Sequence, residues 1–237
     1  MKNTQSIPYG RISLFFVLIL ALVTWGFYKT YLIFFPSFTG FNNVQHFHGA
    51  MMMTWMAFLI IQPLLIRSGK TNIHRWIGKF SYVIAPLLVV SIFLVSRMVY
   101  QRPLRAMPAE ERIGLIALSI PRMIAFAVLY LLAIINRKDT TKHLRYMIGT
   151  SLLLVGPGLG RALIIYYNMS LNDAVNITNY LVMGIAAGLL INDLIKRRTY
   201  VPYTVILITI LLTHFVWHYR YSAIWQNAGE NFAKSFF

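Results

Sequence analysis

The chain contains no cysteine and very few acidic residues. The absence of cysteine excludes disulfides, thiolate metal sites and iron–sulfur clusters. Only 6 of the 237 residues are Asp or Glu, against 22 Lys and Arg, and charged residues make up 12% of the chain. A soluble domain carries about 25% charged residues, so this composition argues against a soluble fold.

Apolar sequence is present in excess. Hydrophobic residues make up 58% of the chain, and several runs reach the roughly 20 residues that a helix needs to cross a bilayer. Continuous apolar runs argue against a β-barrel, whose strands alternate between apolar and polar residues. We therefore predict an all-α, polytopic helical membrane protein, with residues 1–237 forming a single integral membrane domain.

The apolar runs predict about seven transmembrane helices, and the short linkers favour antiparallel packing of neighbours. Spans two to five each contain an interior proline, which kinks a membrane helix. We expect these four spans, about 44–167, to form a four-helix core around a cavity, flanked by the other three. The spans cover about 12–35, 44–66, 76–98, 113–135, 146–167, 177–195 and 203–225. The prolines are Pro63, Pro86, Pro121 and Pro157.

The basic residues lie between the apolar runs. The formal charge of +16 therefore indicates contact with anionic lipid headgroups, not with nucleic acid. The N-terminus and the second, fourth and sixth loops carry about twice as many Lys and Arg as the other loops and the C-terminal tail. This bias predicts an inner-membrane protein with a cytoplasmic N-terminus and an outside C-terminus.

Four of the six histidines fall at similar depths in the outer half of the predicted bundle: His46, His48, His214 and His218. His214 and His218 are four residues apart and share a helix face, whereas His46 and His48, two apart, point to nearly opposite sides. His48, His214 and His218 are candidate ligands of a non-haem iron, zinc or copper ion. The alternative is that these imidazoles serve helix packing and helix–helix hydrogen bonds.

The other two histidines, His74 and His143, begin the third and fifth spans near the inner face. Haem iron takes imidazole axial ligands, and two histidines on facing helices can supply both of them. His46, His48, His74 and His143 are therefore candidate ligands of haem b. For His74 and His143 the alternative is an interfacial role, with contacts to headgroups or loop carbonyls.

Two arginines, Arg122 and Arg161, lie within the outer half of the predicted membrane region, and no carboxylate lies at their depth. Charged groups there are costly and are candidates for function. They call for an anion, which could be a substrate carboxylate, a lipid phosphate or the propionates of haem.

In span six, Gly184 and Gly188 have the spacing that lets two helix backbones touch. This seam could be internal to the chain or the face of a homodimer. In span five, Gly156, Gly158 and Gly160 surround Pro157 and predict a close approach or a kink.

Two separated segments resemble an uncharacterised family of small bacterial membrane proteins with a four-helix core. The residues that match are His48, Gln62, Pro63, Leu65, Ile66, His74, Arg75, Gly78 and Tyr82, followed by His143, Tyr146, Met147 and Arg161. No reaction is assigned to that family. Its histidine placement is similar to that of four-helix di-haem b-type cytochromes, which is an analogy of arrangement only.

The sequence leaves three functions open. The first is a haem- or metal-binding redox protein that exchanges electrons with a partner. The second is a non-redox binder or transporter of an anionic lipid or small acid that uses Arg122 and Arg161. The third is an assembly subunit of a membrane complex. The chain shows no phosphate-binding loop, Ser–His–Asp set or dinucleotide fingerprint, so whether it is an enzyme stays open.

Overall fold

The computed structural model describes residues 7–102 and 107–237, and this part of the chain is helical and contains no β-strand. Two short helices, α3 (Thr71–Gly78) and α9 (Ala223–Phe236), accompany seven that are long and apolar enough to cross a membrane. The seven are α1 (Tyr9–Tyr28), α2 (Asn43–Arg67), α4 (Ser81–Gln101), α5 (Ala109–Ile135), α6 (Thr140–Tyr167), α7 (Leu171–Ile195) and α8 (Val201–His218). The predicted class, a multi-pass helical membrane protein with seven spans, is confirmed.

Several helix ends differ from the prediction because local capping and turns override the apolar pattern. The first span ends at Tyr28, and a single 3₁₀ turn follows at Leu32–Phe34. The seventh span ends at His218, because the hydroxyl of Ser222 accepts the backbone N–H of Trp225 at 3.3 Å and starts α9. A separate helix, α3, occupies the beginning of the predicted third span.

The four-helix core follows the predicted order. Each of α2, α4, α5 and α6 packs against the next along the chain, and α6 lies at the centre of the molecule, with α1, α5, α7 and α8 around it. The flanking helices close the bundle, since α1 also packs on α2, and α8 also packs on α5. We refer below to the two ends of the bundle as the α3 end and the α9 end.

The core is built on Trp55, which has no exposed surface. Its ring packs edge-on against Phe126 and Tyr130, and its indole N–H donates to the hydroxyl of Thr150 at 3.4 Å. Side chains that point outward are also apolar; Leu131 is 56% exposed. An apolar outer face of this kind is expected where the neighbours are lipid chains.

Glycines allow close approach of helices at one of the two places that the sequence indicated. A side chain on Gly158 of α6 would come within 2.8 Å of the backbone of Val23 in α1, and a side chain on Gly26 would strike the Gly158 carbonyl. The close approach predicted around Pro157 is therefore present. Gly184 and Gly188, by contrast, face open space. Their seam is not used within the described part of the chain, and a homodimer through it stays a prediction.

Candidate functional site: an arginine-lined cavity at the α9 end

A cavity of about 370 Å³ opens between α2, α4, α5, α6 and α7. Most of its lining is apolar, and its ionisable side chains are His48, Arg122 and Arg161. No Asp or Glu among the described residues lines it. The sequence analysis predicted a cavity among the four spans that contain an interior proline. Of the four prolines, only Pro157 lines the cavity that is present.

Arg122 enters the cavity from α5, one residue after Pro121. Its Nη2 donates to the side-chain oxygen of Asn179 in α7 at 2.9 Å. Its guanidinium lies beside Gly156, where an added Cβ would be 3.2 Å from Cζ. Gly156 therefore leaves room for the planar group. Within the described part of the chain Arg122 has no carboxylate partner, so its charge is available to an anion.

Arg161 lies in α6 and is exposed at the mouth of the cavity. Its Cζ is 4.5 Å from the ring centroid of Phe27 in α1, a cation–π contact that holds the side chain without neutralising it. In residues 7–102 and 107–237 it forms no ion pair. Two uncompensated guanidinium groups thus line one cavity.

His48 contributes the third ionisable group, from the first two turns of α2. Its Nδ1 is 3.0 Å from the hydroxyl oxygen of Ser91 in α4, and that hydroxyl donates to the carbonyl of Leu88 at 2.7 Å. The imidazole is thereby fixed against α4. Its other ring nitrogen, Nε2, makes no hydrogen bond to the described residues, and the His48 side chain lines the cavity.

His46 lies on the opposite face of α2 and does not line the cavity. Its Nδ1 is 2.6 Å from the hydroxyl of Tyr31, and the rings of Phe38 and Phe41 pack around it. These contacts fasten the segment between α1 and α2. The expectation that His46 and His48 point to different sides is met, and the contacts of His46 are structural.

His214 and His218 lie in a separate groove at the surface of α8, beside Tyr180. Their ring centroids are 5.8 Å apart. In the described chain no group of three or more His, Asp or Glu could hold a metal ion. The structure therefore does not bring His48 together with His214 and His218, because the two seams face different cavities.

Asn179 connects the groove to the cavity. Its amide nitrogen donates to Nδ1 of His214 at 3.2 Å, while its oxygen accepts from Arg122. Because an arginine can only donate, the amide orientation is fixed. The sequence analysis did not identify Asn179 as a candidate. A polar amide within the apolar sixth span could have indicated it.

His74 and His143 lie at the α3 end. Nδ1 of His143 donates to the carbonyl of Ala133 at 2.9 Å. Nδ1 of His74 is enclosed and has no partner among the described residues, and the same holds for the side-chain amide of Gln62. Burial lowers the pKa of His74, the charges of His143 and Arg75 lower it further, and the backbone of Gln62 partly opposes this shift.

The α3 end also holds a buried ion pair that the sequence analysis missed. Arg145 donates from Nε and Nη2 to the two oxygens of Asp193, at 2.6 and 2.9 Å. Asp193 is 2% exposed and Arg145 7%. A third bond runs from Arg145 Nη1 to the Thr141 carbonyl at 3.2 Å. The pair could have been predicted from position along the chain. Arg145 lies near the start of α6 and Asp193 near the end of α7, so antiparallel packing of these helices places both residues at the same end of the bundle.

Seven helices that are long and apolar enough to cross a membrane define a multi-pass integral membrane protein, and a largely apolar cavity lies among five of them. No protein-family model, curated protein or solved structure matches the chain.

Proposed function

We propose that the protein binds an amphipathic anion within the membrane. Arg122 and Arg161 hold a carboxylate or phosphate head, and the apolar lining of the cavity holds an attached hydrocarbon chain. The observation that carries the proposal is that both guanidinium groups line one largely apolar cavity without a carboxylate partner in the described chain. An unpaired charge in such surroundings is costly, and a bound anion offsets that cost.

The cavity volume of about 370 Å³ falls in the lower part of the roughly 300–1,000 Å³ range of small-molecule sites. It suits a single-chain acid better than a lipid with two chains. The exposure of Arg161 at the mouth places one cation where the ligand head would enter, and Arg122 lies deeper, fixed by Asn179.

Binding of dodecanoate and dodecanol to the purified chain in nanodiscs of neutral lipid tests the proposal. We expect dodecanoate to bind and dodecanol to bind at least roughly tenfold more weakly, because a charged hydrogen bond is lost. The Arg122→Gln/Arg161→Gln variant should lose the preference. Arg137→Gln, which removes one exposed positive charge at the α3 end, is the control. Equal binding of acid and alcohol by the wild type would contradict the proposal.

Haem binding is a second candidate, and one observation favours it. His48 presents a ring nitrogen without a protein partner in the cavity that holds both arginines. His48 would supply an axial ligand and the arginines would hold the propionates. Haem would then bring one-electron redox chemistry. Absorption spectra of the purified protein, oxidised and dithionite-reduced, test this: a Soret band that is lost in His48→Ala supports haem, and a flat spectrum rejects it.

A further inference from the structure

The hydroxyl of Ser91 determines which nitrogen of His48 carries a proton. A serine hydroxyl has one hydrogen. We assign that of Ser91 to the Leu88 carbonyl, which can only accept and lies closer, at 2.7 Å against 3.0 Å for Nδ1 of His48. Ser91 has no exposed surface, so water does not compete for its hydrogen. Towards His48 its oxygen can therefore only accept, and Nδ1 of His48, at 3.0 Å, is the donor.

The second ring nitrogen, Nε2, is then an acceptor. Arg122 and Arg161 share the cavity with His48, and two positive charges in apolar surroundings oppose a third. A neutral imidazole whose proton is on Nδ1 carries a lone pair on Nε2. Nε2 has no protein donor in the described chain, so the cavity presents two cationic donors and an imidazole acceptor, besides the hydroxyls of Ser96 and Ser119.

We infer that the ligand of this cavity carries an O–H group beside its anionic group, and that Nε2 of His48 accepts a hydrogen bond from this O–H. The inference rests on the proposed function. An anion without such a donor leaves Nε2 unpaired and brings its own negative oxygens towards a lone pair. A site built to hydrogen-bond a ligand hydroxyl discriminates against analogues that lack it. The ligand class is therefore an apolar chain that ends in a hydrogen phosphate or in a 2-hydroxy carboxylate.

Two matched pairs of probes test the inference in nanodiscs of neutral lipid. Decyl phosphate and decyl sulfate are compared at about pH 5, where a phosphate monoester is a monoanion because its second ionisation lies near 6. They share chain and charge, but only the phosphate carries an O–H. The second pair, 2-hydroxydodecanoate and dodecanoate, is compared at about pH 7. We expect the member with the hydroxyl to bind roughly tenfold more tightly in each pair that fits.

A preference in one pair alone identifies the head, phosphate or hydroxy acid, and supports the inference. His48→Phe should bind both members of that pair equally. Ser91→Ala should also lose the preference while it keeps the imidazole, because Nδ1 is released and the proton can move to Nε2. His46→Phe removes an imidazole outside the cavity and should keep the preference.

Equal affinities within both pairs in the wild type would overturn the inference and leave anion binding intact. A preference that survives in both His48→Phe and Ser91→Ala would also overturn it. If none of the four probes binds, the proposed function itself fails, and the inference fails with it.

Discussion

Arg145 and Arg122 both lie inside the helix bundle, but their partners differ. Arg145, at the α3 end, makes two hydrogen bonds to the carboxylate of Asp193 and a third to a backbone carbonyl. Arg122, at the α9 end, makes one hydrogen bond to the neutral amide of Asn179 and faces a cavity. The first arrangement is complete within the chain, so it serves the structure. The second retains a net charge, and that difference is the basis for our proposal that the cavity is a binding site.

Exchange of the two partner residues is the sharpest way to examine this comparison, since α7 supplies both. Asp193→Asn should have the largest effect on stability. It leaves the Arg145 guanidinium buried without a counter-charge, and loss of one partner of a buried pair costs about 3–5 kcal/mol. We expect a marked fall in the midpoint of thermal unfolding in detergent.

Asp173→Asn, which removes an exposed carboxylate from the first turn of the same helix, is the control and should change that midpoint little. A stability of Asp193→Asn equal to that of the control would mean that Arg145 is not held by charge pairing.

The reciprocal change, Asn179→Asp, should act on binding. A carboxylate would then lie within hydrogen-bond distance of Nη2 of Arg122 and would neutralise it from within the chain. We expect affinity for dodecanoate to fall roughly tenfold or more, without loss of folding. Binding to the purified variant in nanodiscs measures this, with Asn231→Asp on the exposed side of α9 as control. Unchanged affinity would show that Arg122 does not contact the anion.

The smallest effect is expected from Gly156→Ala. The added methyl group would lie 3.2 Å from Cζ of Arg122, close enough to displace the guanidinium by a few tenths of an ångström. We expect dodecanoate affinity to fall roughly threefold, as for a modest overpacking of a well-filled site. Gly184→Ala, at a glycine that faces open space, should bind as the wild type does. Equal behaviour of the two variants would indicate that the position of Arg122 is not critical.

Composition and apolar run length were sufficient to predict the helical class and the seven spans, while the interior prolines were the basis for grouping spans two to five as a core. Run length responds only to hydropathy, so it could not place helix ends that depend on single hydrogen bonds. Ser222 starts α9 in this way, and Asp139 starts α6 by accepting the backbone N–H groups of Thr141 and Lys142. The apolar pattern instead predicted a seventh span that continues to about residue 225 and a fifth span that begins at about residue 146.

At the site, depth along a helix was predictable and rotation about it was not. The sequence placed Arg122, Arg161 and His48 at similar depths without a carboxylate, and all three line the cavity. The same argument grouped His48 with His214 and His218, which face another groove. The angle of each helix about its axis depends on packing partners, such as Gly158 against α1, and no periodicity in a uniformly apolar helix reveals it.

The contact between Gly26 and Gly158 has a consequence for biosynthesis. The first span leaves the ribosome long before the sixth helix, α6, exists, although α6 is the helix against which it packs most extensively. Domains generally form from the N-terminus as the chain emerges, and of the two helices that pack along the first span, only α2 precedes α6 in the chain. The contact between α1 and α6 therefore cannot form until five of the seven spans have been synthesised.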